Sequence, residues 1–360
     1  MINVTKTYLP PLDEYMRYLE GVWARNHVTN FGPLVLELET RLKEYLGVKH
    51  LFYVSNGTIA LQIAVKALDL KGEVITTPFS YVATTSSIVW EGCHPVFVDI
   101  DPHTLCIDPG LLEDAITPST SAILPTHVYG YPCDVKKIQE IAARHNIKVI
   151  YDAAHAFGVR YKNVPLVNFG DISTLSFHAT KLFHTVEGGA VVTNNDELAE
   201  RIGYLMNFGH KSESEFSGVG INGKNSELHA AMGLCILPRI PELIARRKEI
   251  CDLYDLCLSN ANLVKPYANQ FTDFNYAYYP VIFPSENVLL RVINALKAQQ
   301  IFPRRYFYPS LNMLNYINPW QNMPIAEDIS RRILCLPLSN YLTNDEVLQI
   351  SRIALESLAA

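Results

Sequence analysis

Short apolar runs rich in β-branched residues alternate with helical stretches from about Leu34 onward, and this alternation limits the possible folds more than any other feature of the chain. The runs "HLFYVS", "GEVITTP", "HPVFVDID", "AILPTHVYG", "IKVIYDAAH", "ISTLSFHA" and "GGAVVTN" carry few charges, as strands covered on both faces do. Between them, "VLELETRLKEYLG" reads as an amphipathic helix closed by Gly47, and "NGTIALQIAVKALDL" as a helix apolar on most sides and therefore buried. The pattern predicts an α/β fold: a mostly parallel sheet with helices on both faces.

The texture changes around "GKNSELHAAMGLCILPRIPELIARRKEICDLYDLCL", a long helical region interrupted at Pro238 and Pro241. The domain boundary is placed there. Residues 1–245 form an N-terminal segment plus a large α/β domain, and residues 246–360 a smaller C-terminal α+β domain. In the latter "FNYAYYPVIF" reads as a strand and "SENVLLRVINALKAQQ" as a helix; "RRILCLPL" leads into a further strand. "TNDEVLQISRIALESL" closes the chain as a helix, with Thr343 and Glu346 at capping-box spacing.

A chain of 360 residues that is 49% hydrophobic can bury a large core, and its 18% charged residues rule out a disordered tail-like polymer. The net charge of -6 leaves no basic stripe to neutralise phosphates, which excludes nucleic acid as the expected partner. The seven cysteines are scattered and odd in number, without a C-x-x-C pair. Reduced, mostly buried thiols in a cytoplasmic protein explain them. The first residues, "MINVTKTYLPPLDEYMRYLE", put prolines and acids where a leader would be apolar, and no segment reads as a membrane span. Small-molecule chemistry is the expectation.

In open α/β sheets ligands bind beyond the carboxyl ends of the strands, and the residues that follow the strand patterns are unusual in four places. In "VSNGTIAL" a strand ends at Asn56-Gly57-Thr58 and a helix begins, offering free N–H groups to a phosphate; an ordinary capped turn reads the same way. In "KVIYDAAHAFG" Asp152 follows a strand, with two alanines and then His155. A partly desolvated carboxylate there seeks a cation, although a helix-capping aspartate is an equal reading. In "LSFHATKLFHTVEGG" Lys181 stands among Ser176, His178, Thr180 and His184 without an acidic neighbour before Glu187. Desolvation would make it a nucleophilic amine suited to an aldehyde, whereas a surface lysine lying over Phe177 and Phe183 is the alternative. In "TTPFSYVATTSS" the Tyr81 ring either stacks on a flat cofactor or belongs to the core. No spacing matches a metal site, so His178 and His184 are read as active-site histidines.

Together, an anion turn, a stacking ring, a carboxylate and an aldehyde-capturing amine are what pyridoxal 5'-phosphate demands. Over nearly its whole length the chain resembles the DegT/DnrJ/EryC1/StrS nucleotide-sugar aminotransferases of the aspartate aminotransferase type I superfamily. The resemblance rests on "VTNFGPLVLELETRLKEYLG", "VSNGTIALQIAVKAL", "VIYDAAHAFG", "GDISTLSFHATKLFHTVEGGAVVTN", "GINGKNSELHAAMG" and "PIAEDISRRILCLPL". It implies a seven-stranded, mostly parallel sheet in the large domain. It implies Lys181 as the Schiff-base lysine, Asp152 as partner of the pyridinium nitrogen and Tyr81 as the stacking ring. Gly57, Thr58 and Ser176 would hold the phosphate, with His155 at the cofactor. Asn222 would reach the phosphate of a neighbouring subunit, which implies a homodimer with shared active sites.

The expected activity is transfer of an amino group from L-glutamate to a nucleotide-linked, dTDP-bearing 4-keto-6-deoxyhexose. The resulting 4-amino-4,6-dideoxy sugar would serve a surface polysaccharide such as lipopolysaccharide, or a natural product. Amination at C-3 is the alternative, and a non-catalytic sensor of the cofactor a further one. Arg304, Arg305 and Tyr308 in "PRRYFYPS" are candidate contacts to the sugar nucleotide, as are His178 and Lys224. The chain departs from the family at Lys224-Asn225, where an Arg-Met pair is common, and near Asn312, where a histidine is common.

Overall fold

A computed structural model of the chain describes residues 1–267 and 270–359. Its centre is a sheet of seven strands: β1 (His50–Val54), β2 (Glu73–Thr76), β3 (His94–Phe97), β4 (Thr120–Leu124), β5 (Lys148–Asp152), β6 (Ile172–Ser176) and β7 (Gly189–Thr193). Their order across the sheet is β1-β7-β6-β5-β4-β2-β3. Strands β2 to β6 are parallel to their neighbours among themselves, and β7 is antiparallel to both β1 and β6. A parallel neighbour needs a crossover, but an antiparallel one can be reached by a turn. The chain therefore passes from β6 to β7 through an irregular loop with no helix in it, and Lys181 lies in that loop.

The period-2 alternation of the strands divides the core cleanly. Val54, Val74, Leu124, Ile150, Ile172 and Val191 pack on one side against the buried helix Gly57–Ala67. Tyr53, Ile75, Ile123, Tyr151, Leu175 and Val192 face the other side, with Leu38 and Leu42 of helix Pro33–Leu46. That helix ends at Gly47, whose φ of 59° is the left-handed closure its sequence predicts.

A second apolar cluster gathers residues from Ile250 to Ala354, with Ile2 against it. Its antiparallel pair is β8 (Tyr279–Ile282) with β9 (Ile333–Leu336), flanked by helices Ile240–Leu258, Glu286–Ala298 and Asn344–Ala359. The expected capping box is present: the Thr343 N–H donates to Glu346 at 2.8 Å and the Glu346 N–H to Thr343 Oγ1 at 3.2 Å. The N-terminal residues Ile2–Asn3 cross over to pair with Ile301–Phe302. The helical run from Glu227 to Leu258 is long and apolar enough to span a bilayer by length and composition. It is broken by a 3-10 turn at Leu237–Arg239, carries Arg246 and Arg247, and packs into both apolar clusters.

Candidate active site

A cavity of about 590 Å³ opens beyond the carboxyl ends of the parallel strands, the position at which such sheets bind ligands. Asp152 closes β5 and is buried. Its Oδ2 accepts from Thr84 Oγ1 at 2.7 Å and its Oδ1 from the Ala154 N–H at 3.1 Å. Thr84 belongs to a buried hydroxyl chain, with Ser80 at 2.8 Å and Thr126 a further 3.0 Å on. Burial pushes the Asp152 pKa up, while Thr84, the Ala154 N–H and Lys181 pull against it. Among the described residues no side-chain cation is hydrogen-bonded to it, so the carboxylate retains acceptor capacity toward the cavity.

Lys181 projects its amine into the same space. Burial lowers its pKa, and the Asp152 charge is the largest opposing influence. Its Nζ donates to the phenol oxygen of Tyr278 at 3.1 Å. His155 is buried beside them, and burial followed by the Lys181 charge depresses its pKa. Its Nδ1 accepts the Tyr129 N–H at 3.1 Å, which leaves the proton of the neutral ring on Nε2.

Helix Gly57–Ala67 begins at the cavity, capped by Asn56, whose side chain accepts the Ile59 N–H at 2.9 Å. The N–H groups of its first turn have no intrahelical partner. A Cβ at Gly57 would lie 2.9 Å from Ser176 Cβ, so glycine is what lets the helix start touch the end of β6. Tyr81 stands at the N-terminus of helix Val82–Trp90 and lines the cavity with 57% of its surface exposed.

Gly57, Thr58, Tyr81, Asp152, His155, Ser176, His178, Lys181 and Arg304 all line this one cavity. His178 is exposed at its rim, near Thr180 (2.9 Å) and Glu187 (3.6 Å). The Arg304 guanidinium lies 5.3 Å from the Tyr306 ring. Lys224 and Asn222 lie outside the lining: Lys224 Nζ donates to Asn207 at 2.9 Å and sits over the Phe208 ring, while Asn222 is exposed and pairs with Asn207. Arg305 is held elsewhere, by Glu286 at 2.7 Å and the Arg331 carbonyl at 3.0 Å, with the Tyr308 ring 3.5 Å beneath it. Asn312 is buried and joins Glu327 (2.7 Å) to the Gln321 carbonyl (2.8 Å). His184 is tied to backbone, with Nε2 bonded to the Tyr8 carbonyl at 2.7 Å.

The sequence pattern does not point to Thr84, Tyr278 and Phe307, which also belong to the site. Thr84 carried a faint signal, a run of small hydroxyl residues after Tyr81. Tyr278 carried none, since its partner is 97 positions away. The residues present fit pyridoxal 5'-phosphate: a glycine-lined helix start for the phosphate, a desolvated carboxylate with a free acceptor for a ring N–H, flanking rings, and an amine of lowered pKa. No cluster of His, Cys, Asp and Glu able to hold a metal ion is found among the described residues.

Residues 12–354 match the DegT/DnrJ/EryC1/StrS aminotransferase family. Over 352 residues the chain is 46% identical to a Shigella dysenteriae protein named dTDP-4-amino-4,6-dideoxy-D-glucose transaminase, covering 96% of this chain and 95% of that one. It is 41% identical over 366 residues to an Escherichia coli protein of the same name, covering 98% of each. The crystal structure of DesI in the presence of its TDP-sugar product matches with a TM-score of 0.95 at 32% identity, over 99% of this chain and 93% of that one.

Proposed function

The chain belongs to the DegT/DnrJ/EryC1/StrS aminotransferase family, and from that premise we propose that it moves the amino group of L-glutamate to C-4 of a dTDP-linked 4-keto-6-deoxyhexose. The names and titles of its relatives, which specify a dTDP-linked 4-amino sugar and a TDP-sugar product, support this choice of substrate.

Its cofactor, pyridoxal 5'-phosphate, supplies an aldehyde that takes up amines and a ring that delocalises the electron pair left when an adjacent C–H bond breaks. Gly57, Thr58 and Ser176 hold the phosphate at the helix start. Asp152 holds the ring N–H, and its desolvation strengthens that charge-assisted bond. Tyr81 and His155 confine the ring. Lys181 carries the protons: its amine takes one from Cα of glutamate in the first half of the cycle and delivers one to C-4 of the sugar in the second. Arg304 and His178 meet the incoming sugar nucleotide, Arg304 at the diphosphate.

Asn222 and Lys224 act across a homodimer interface, at the cavity of a second copy. In support, the segment leading to them is exposed yet apolar, with Phe216 at 61%, Val219 at 92% and Ile221 at 40%.

The observation that carries this reading is the meeting of the Lys181 amine, the buried Asp152 and the glycine-opened helix start in one cavity. Incubation with glutamate and a panel of dTDP- and UDP-linked 3- and 4-keto sugars, followed by identification of the amino sugar, tests it. A 3-amino product, or none, would overturn the assignment.

A further inference from the structure

A lysine side chain that transfers protons must be held still whenever its amine is free, because its four-carbon stem has several rotamers of similar energy. The Lys181 amine is hydrogen-bonded to a single side chain among the described residues, the phenol of Tyr278 at 3.1 Å. Nζ lies 5.8 Å from the ring centroid, so the contact is with the hydroxyl and not with the ring face.

Tyr278 is immobilised through both its ring, which packs against the larger apolar cluster, and its backbone. Its ring meets His155 edge-on at 4.9 Å, Tyr129 at 5.5 Å and Tyr306 at 5.9 Å. Its backbone is fixed through Ala277, whose N–H donates to Asn275 Oδ1 (3.1 Å) and whose carbonyl accepts from the buried Arg247 (3.1 Å). The Asn275 amide in turn donates to the carbonyls of His155 (2.9 Å) and Phe157 (3.0 Å). Burial keeps the phenol protonated by raising its pKa. A neutral hydroxyl can accept from an ammonium and can equally donate to a free amine. It therefore suits a partner that changes protonation during turnover. Phenylalanine would fill the same space, so ring packing alone leaves the hydroxyl unexplained.

We propose that the Tyr278 hydroxyl is the positioning group for the proton-transferring amine, holding Lys181 Nζ in one place whenever that amine is not covalently engaged. The proposal rests on the assignment of Lys181 made above. The other titratable groups around the amine are Asp152, His155, Tyr81 and Tyr306, and all are retained in the test variant.

In full-length Y278F, kcat falls roughly ten- to a hundredfold, while the KM values for glutamate and the sugar nucleotide change less than about twofold. In the cofactor-free chain, the midpoint of the pH dependence of Lys181 reductive methylation drops by roughly half a unit or more, because the charge-assisted bond from the ammonium, stronger than the neutral bond to the free amine, has been lost. Wild-type kcat together with a wild-type methylation profile in Y278F would overturn the proposal and leave Tyr278 as packing. Borohydride reduction of both holoproteins separates this outcome from a failure of the functional reading. Covalent fixation of the cofactor at Lys181 with unaltered Y278F behaviour removes the role of Tyr278 alone, whereas absence of fixation in the wild type removes the assignment of Lys181 and the positioning role with it.

Discussion

Raising the pH from 5 to 8 costs this protein stability at the carboxyl group of Glu39, and Glu39→Gln abolishes that contribution. Glu39 lies on helix Pro33–Leu46, and its Oε1 accepts the Tyr53 N–H at 2.8 Å on the open edge of β1. Burial pushes its pKa from 4.5 up to about 7, against the opposing pull of the Tyr53 N–H and of Lys43. The folded value lies above the unfolded one, so the folded chain keeps the proton longer. The stabilising contribution is complete below 4.5, shrinks as the pH climbs, and is gone once it has passed about 7. At about 1.4 kcal/mol per unit that rise is worth about 3 kcal/mol, and partial solvent access brings it to about 2 kcal/mol. Glutamine keeps the acceptor oxygen but cannot titrate. Urea unfolding of both proteins at pH 5 and pH 8 should show the stability of the wild type changing by about 2 kcal/mol less favourably than that of the variant over that interval. Parallel pH dependences would mean that the carboxyl titrates normally, and the reasoning from burial would be wrong.

Lys181→Ala should leave borohydride with no side chain to link to the cofactor, and should lower turnover roughly a thousandfold or more while the unfolding midpoint stays near that of the wild type. Asp152→Asn turns one of the two acceptor oxygens, which now take the Thr84 hydroxyl and the Ala154 N–H, into an NH2 group and removes the negative charge. Turnover, followed by amino-sugar release, should fall roughly a hundredfold or more, with no loss of thermal stability because a buried charge is removed. Gly57→Ala places a methyl 2.9 Å from Ser176 Cβ and 3.3 Å from its Cα. The helix start must shift, at a cost of roughly 1–3 kcal/mol in urea unfolding, and cofactor affinity measured by fluorescence titration should weaken at least about tenfold.

The fold was readable because each central strand carries its pattern locally. Ile150 and Ile172 pack on one side of the sheet, Tyr151 and Leu175 on the other, and period-2 alternation needs no distant partner to be recognised. The run "AILPTHVYG" was read too long: the strand stops at Leu124, and Val128–Gly130 turns in a 3-10 segment where Tyr129 has φ 55°. An apolar run shows burial but not where the backbone leaves the sheet. The crossing of Ile2 to pair with Ile301 was equally unreadable, since a two-residue strand has no period to detect.

The site divides along the same line. Gly57 starts a recognisable helix, Asp152 ends a recognisable strand and Lys181 lies in the loop that follows one, so the topology of the sheet brings them to the same edge. The arginine pair shows what a local pattern lacks. Arg304 and Arg305 are chemically identical and adjacent, yet Arg304 pairs with Cys335 of β9 and lines the cavity, while Arg305 turns to Glu286 and the Arg331 carbonyl. Successive side chains of an extended segment point to opposite sides, so one of the two must face away from the ligand. Which one is set by the register against Cys335, an interaction across more than thirty positions that leaves no mark in "PRRYFYPS".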